Sequence, residues 1–173
     1  MKLFKSAVCT LLFVLILSGC GANTVQEVLE SDIFKLEVLN ETDTKYGNVV
    51  FYKTVSPSEI YGARLLKKNG SEWEILLGSR ISAIEKSQDI SWAWQSSSDS
   101  PTFFYGIIKN NAIRKLTVNG TDAVIVNLEN DYNLFYLLTN EEALDIQENG
   151  EKGTQIKGFT DEGNLIYQRM TFN

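Results

Sequence analysis

Two spacings of apolar residues divide this chain. Val25, Val28 and Leu29 recur at helical intervals behind Thr24-Val25-Gln26-Glu27, which has the form of a capping box, and they predict a short helix through Ser31. From Ile33 the period drops to two. Phe34, Leu36 and Val38 alternate with Lys35 and Glu37, as in a strand with one apolar face, and polar Asn40 to Lys45 predicts the turn that ends it. Asn48 to Thr54 is rich in β-branched and aromatic residues and reads as a more fully buried strand. Tyr61, Ala63 and Leu65 on one side of Asn69-Gly70, and Trp73, Ile75 and Leu77 on the other, predict a hairpin. Its type I′ turn would place positive φ at both central residues. Ile90, Trp92 and Trp94 alternate with Ser91, Ala93 and Gln95, so one face of that strand carries both indoles. Ser96 to Pro101 reads as a surface loop, or as a hinge between two halves of the sheet.

Phe103 to Ile108 starts another apolar strand. Ile113 to Val118, a turn at Asn119-Gly120, Ala123 to Leu128, a turn near Asn130-Asp131 and Leu134 to Leu138 then have the spacing of a β-meander. Glu141 to Leu144 suits one helical turn, and Asn149 to Gly153 a loop. Gln155 to Phe159 and Leu165 to Met170 form a last hairpin through Asp161 to Asn164. The expected fold is mainly β (α+β with one short N-terminal helix): an antiparallel sandwich or barrel of about ten strands.

The first twenty residues follow a different logic. Lys2 and Lys5 precede an apolar run from Ala7 to Leu17, shorter than the roughly 20 residues that span a bilayer as a helix, which is the layout of a secretory signal. The ending Leu17-Ser18-Gly19-Cys20 resembles the lipobox of bacterial lipoprotein precursors. That resemblance implies a signal peptide over residues 1–19, lipidation of Cys20 with diacylglycerol, a tether over 20–23, and a single β-rich domain over 24–173. It also implies residence on the outer, extracytoplasmic face of the cell membrane, since two or more acyl chains anchor stably where one does not.

Removing the first 19 of 173 residues leaves 154, enough for one domain with a sizeable core. Loss of Lys2 and Lys5 moves the formal net charge from −6 to −8. An acidic domain suits no nucleic acid and is repelled by an acidic membrane surface, so it is expected to stand off the bilayer. Cys9 leaves with the signal and Cys20 is taken by lipid, so no disulfide is expected. The chain has no histidine, which removes the commonest general base and the commonest transition-metal ligand together. A non-enzymatic protein follows, with no catalytic residue, no cofactor and no metal. The alternative is a carboxylate-dependent cell-wall glycan hydrolase, for which Glu72, Glu74, Glu129 and Asp131 are among many candidate acids.

Trp92, Trp94, Phe104 and Tyr105, with Phe103, cluster on either side of the Ser-rich segment and suit stacking against sugar rings, with Gln95 and Asp99 as polar partners. The same aromatics suit better still a core shared by adjacent strands. Asn127, Glu129, Asn130, Asp131 and Asn133 gather oxygen side chains of the kind calcium prefers, but without the glycine of a calcium loop they read better as turn residues. From the helix through the Phe104-Tyr105-Gly106 strand the chain resembles small exported proteins of Bacillus-like bacteria, which implies an origin and no activity. The expected role is a binding module of the cell envelope, its partner an envelope protein or a cell-wall glycan.

Overall fold

The structure, a computed structural model, describes residues 24–30, 35–55, 60–81, 88–128, 132–140, 146–148 and 151–172. Among them are one helix, α1 (Val25–Glu30), and thirteen strands in three antiparallel sheets. The first sheet follows chain order: β1 (Leu36–Thr44), β2 (Gly47–Thr54), β3 (Tyr61–Asn69) and β4 (Glu72–Ile81). The central sheet has the order β5 (Ile90–Ser97), β6 (Ser100–Ile108), β10 (Asn133–Thr139), β9 (Val124–Val126). The third is built on β12 (Glu151–Phe159). β13 (Leu165–Phe172) lies along one side of it, β7 (Lys115–Val118) and β11 (Ile146–Glu148) along the other, and β8 (Thr121–Asp122) beyond β7.

Three apolar layers fix how the sheets stack. Val49, Phe51, Ala63, Leu65 and Leu77 of the first sheet meet Phe103, Tyr105, Ile107, Leu134 and Tyr136 of the central one. The central sheet's other face, with Phe104, Ile108, Phe135 and Leu137, meets Leu116, Val118 and Ile156 of the third. Val28 and Leu29 of α1 close the outer face of the first sheet over Leu36, Val50, Tyr52 and Leu66. The order is helix, first sheet, central sheet, third sheet. The fold is mainly β and sandwich-like, and among the described residues no sheet closes into a barrel.

A strand covered on both faces has no polar side to alternate with. Pro101 to Ile108 are all buried, which is why this stretch reads as a continuous apolar run. Packing in this middle layer leaves no slack at Gly106, where an added Cβ would collide with the Ser91 carbonyl and the Phe135 ring.

Several expectations are corrected. Asn40 to Thr44 continue β1 to a turn at Lys45-Tyr46. Their polar side chains are served locally: Asn48 Nδ2 donates to Glu41 Oε1 at 2.6 Å and Thr42 Oγ1 to Asn40 Oδ1 at 2.8 Å. The hairpin of β3 and β4 turns one residue later than expected. Asn69 pairs with Glu72, and only Gly70 has positive φ (64°), which suits a two-residue turn with glycine first. At Asn119-Gly120 both residues have positive φ (50° and 83°), and the type I′ geometry is found there. A bulge between Leu65 and Leu66 puts Ile75 on the helix side while Leu77 faces the central sheet, so Trp73, Ile75 and Leu77 do not share a face.

Ser96 to Pro101 is no loop. Ser96 and Ser97 end β5, Ser100 and Pro101 begin β6, and the turn is Ser98-Asp99. Pro101 is tolerated because it sits beside the bulge between Gln95 and Ser97, near the start of its strand. The expected meander is broken at Ala123. Thr121-Asp122 pair with β7 in the third sheet, whereas Val124 to Val126 pair with β10 in the central one. Glu151 to Gly153 belong to β12 and not to a loop. Residues 31–34, 129–131 and 141–145 lie outside the described residues, and with them Phe34, the Asn130-Asp131 turn and the Glu141 to Leu144 helical turn.

Candidate functional site

The capping box at the chain's entry to the domain is formed: Thr24 N donates to Glu27 Oε2 and Glu27 N to Thr24 Oγ1, each at 3.2 Å. Cys20 and the lipobox lie outside the described residues. The domain therefore offers two surfaces for comparison with the sequence reading, and they meet at one rim between the central and third sheets.

The first is the face of β5. Trp92 and Trp94 are half-buried and lie on either side of the buried Phe104 ring, with centroids 6.4 and 6.2 Å away and planes tilted by 39° and 35°. The register explains this, since Trp94 pairs with Phe104 and Trp92 with Gly106, two residues on, so both indoles and the Phe104 ring stand on the same face of the paired strands. Tyr105 does not join them. It is fully buried on the opposite face, 4.7 Å from the Phe103 ring, inside the layer shared with the first sheet. Gln95 also points away from the indoles, because its Oε1 accepts from the Gly78 amide of β4 at 2.8 Å. Asp99 is exposed in the turn between β5 and β6. Three of the four expected ligand residues are thus brought together, and the two polar partners are not.

The second surface is β13. Its inner face turns Tyr167 towards the same apolar layer that holds Trp92 and Trp94. Arg169 Nη1 donates to Gln88 Oε1 at 3.1 Å, which ties the middle of β13 to the start of β5. Burial raises the Tyr167 phenol above its ordinary pKa, against an opposing pull from Arg169. Half-buried Trp92, Trp94 and Tyr167, with Arg169, Gln88 and Asp89, thus make an aromatic rim with hydrogen-bonding groups at one end.

Among the described residues nothing pairs with the second edge of β13. Leu165, Ile166 and Phe172 are 49%, 39% and 40% exposed, three of the six large apolar side chains among the described residues that stand that open. The other long edges are guarded. β1 carries exposed Glu37, Glu41 and Asp43 and a bulge after Val38, and β5 has β4 lying against it. Sequence reading found β13 as a strand but missed it as a surface. Its pattern, Leu-Ile-Tyr-Gln-Arg-Met-Thr-Phe, carries apolar residues on both faces and a single charge, which was the available signal.

Of the calcium-like cluster only Asn127 and Asn133 are among the described residues. Asn133 is buried, its Oδ1 accepting from the Leu128 amide at 3.4 Å, while Asn127 is exposed and residues 129–131 lie outside the described set. Glu72 and Glu74 are exposed near the hairpin tip, opposite Asn69 and Lys67. Among the described residues no helix is long and apolar enough to cross a membrane, and no three His, Cys, Asp or Glu side chains gather as a metal site requires. No family model, no curated protein and no solved structure matches the chain.

Proposed function

We propose that this protein is an extracytoplasmic lipoprotein, anchored to the outer face of the cell membrane through diacylglycerol on Cys20, whose β domain binds an extended segment of an envelope protein along β13. Lys2, Lys5, the apolar run from Ala7 to Leu17 and the Leu17-Ser18-Gly19-Cys20 ending support the anchoring. The unpaired edge of β13 carries the binding part. Alternate residues of an edge strand present N–H and C=O groups that an added strand satisfies, and Leu165, Ile166 and Phe172 supply apolar contact beside them. The role uses no catalytic residue and no cofactor.

A second reading, a cell-wall glycan held over the rim, is favoured by one observation. Trp92, Trp94 and Tyr167 each leave part of a ring uncovered, with Arg169 and Gln88 beside them as hydrogen-bonding groups.

A photoreactive residue at Gln168 in the full-length protein in cells, followed by mass spectrometry, tests the first reading. Reproducible capture of one protein segment, lost in Ile166→Lys, is the expected result; no protein captured at Gln168 overturns it. Retention of muropeptides by the purified domain, lost in Trp92→Ala, would instead support the glycan. Cys20→Ala is expected to leave an unprocessed precursor with no acyl label, and normal processing of that variant would remove the anchoring.

A further inference from the structure

Thr24 is four residue steps from Cys20, and a fully extended chain of that length spans at most about 14 Å. The face of the domain around α1 therefore stays within that distance of whatever holds Cys20. This inference rests on the lipid anchor proposed above. We infer that the outer face of the first sheet beside α1, formed by Trp73, Ile75 and Lys68, is the surface with which the domain rests on the lipid headgroups.

The residues suit that place. α1 lies against β1 and β4, and Trp73 of β4 packs with Val25, Val28 and Leu29 while remaining half-buried. Ile75, two residues on and on the same side, is 45% exposed. Lys68 pairs with Trp73 across the hairpin and holds its ammonium 5.7 Å from the indole centroid. An indole at the rim of an apolar patch, an exposed aliphatic side chain and a lysine able to extend its charge towards phosphate are the groups that settle at a bilayer interface.

The processed domain's net charge of −8 opposes approach as a whole, but position along the tether decides where that repulsion acts. The acids of this face are largely engaged. Glu27 closes the helix cap, Glu30 Oε1 accepts from Gln26 at 3.0 Å, and Glu41 Oε1 accepts from Asn48 Nδ2 at 2.6 Å, while Asp43 stands exposed at the far end of β1. Glu72 stands at the hairpin tip on the same strand as Trp73 and Ile75. A tether of this length restricts how far the acidic domain can stand off, and it fixes which face looks down. The third sheet, two layers further out at about 10 Å per layer, then faces away from the membrane and presents β13 and the aromatic rim.

The test uses the acylated protein in phosphatidylglycerol–phosphatidylethanolamine vesicles that carry nitroxide-labelled headgroups. A fluorophore is placed at Ser71→Cys, in the turn between β3 and β4, or at Gln168→Cys on β13. Both positions are exposed, so the fold survives either change. Quenching several-fold stronger at Ser71→Cys is the expected result. Equal or stronger quenching at Gln168→Cys, in protein whose mass shows acylated Cys20, overturns the orientation and leaves the anchor standing. Protein that carries no acyl group on Cys20 and fails to bind the vesicles overturns both.

Discussion

The first and third sheets both cover a face of the central sheet, yet they finish differently towards solvent. On the first, Leu36, Val50, Tyr52 and Leu66 would lie bare if α1 did not place Val28 and Leu29 over them. The free strand β1 is lined with Glu37, Glu41 and Asp43. On the third, no described element covers the outer face, and the free strand β13 carries Arg169 as its single charge. The first layer is covered by α1 apart from the Trp73 and Ile75 patch and is protected against adding strands; the third is left open in both respects. The difference teaches where to look for a partner, because among the described residues exposed apolar side chains and a long unguarded strand edge coincide on the third sheet.

That contrast can be broken or sharpened by substitution. The largest effect belongs to Leu29→Ala, which empties a fully buried site under α1 and is expected to cost about 2–5 kcal/mol in urea unfolding. A much smaller loss would mean that the helix adds little to the first sheet. Trp94→Ala, at the rim, should cost about 2 kcal/mol, below the roughly 3–5 kcal/mol of a fully buried indole, because the ring is half-buried. Thr24→Ala removes the cap and should cost about 1 kcal/mol by the same measurement. Ile166→Lys on the third sheet is expected to change stability by no more than about 0.5 kcal/mol, while abolishing capture at Gln168. A large loss of stability there would show that β13 is structural and not kept for a partner.

Smallest of all is a titration effect in the turn before β13. Hydrogen bonds from Thr160 and from its own backbone hold the Glu162 carboxyl below the ordinary carboxylate range, and the group is fully exposed. Because the folded pKa is the lower one, its contribution is present above the unfolded pKa and fades as pH falls through the folded value. Glu162→Gln should therefore slightly flatten the acid limb of a stability-versus-pH curve, and an unchanged limb would discount those hydrogen bonds.

What the sequence made legible was whatever depends on local period. The alternation of Tyr61, Ala63 and Leu65, the continuous run at Phe103 to Ile108 and the capping box at Thr24 each specify an element without help from elsewhere. What stayed hidden depends on pairing partners. Asn69-Gly70 and Asn119-Gly120 are the same dipeptide, but the pairing of Lys68 with Trp73 and of Asn69 with Glu72 shifts the first turn by one residue. Ser96 to Pro101 has the composition of a loop and becomes strand because β6 is held between β5 and β10. The split of Trp92 and Trp94 from Tyr105 follows from strand parity. The aromatic cluster read as one group along the chain is two groups back to back across a sheet.

The sheet switch at Ala123 has a consequence for how this chain folds. All four strands of the first sheet are contiguous between Leu36 and Ile81, so each pairing closes a short loop. The third sheet has to join Val118 to Ile156, with two strands of the central sheet lying between them in the chain. Long closures are entropically slow, and a chain that emerges N-terminus first meets its local pairings first. Helix and first sheet are then a platform that forms early, at the N-terminal side of the domain. β13, the strand with the open edge, takes its place last, which keeps the segment best able to pair with a stranger out of reach until the rest of the domain is built.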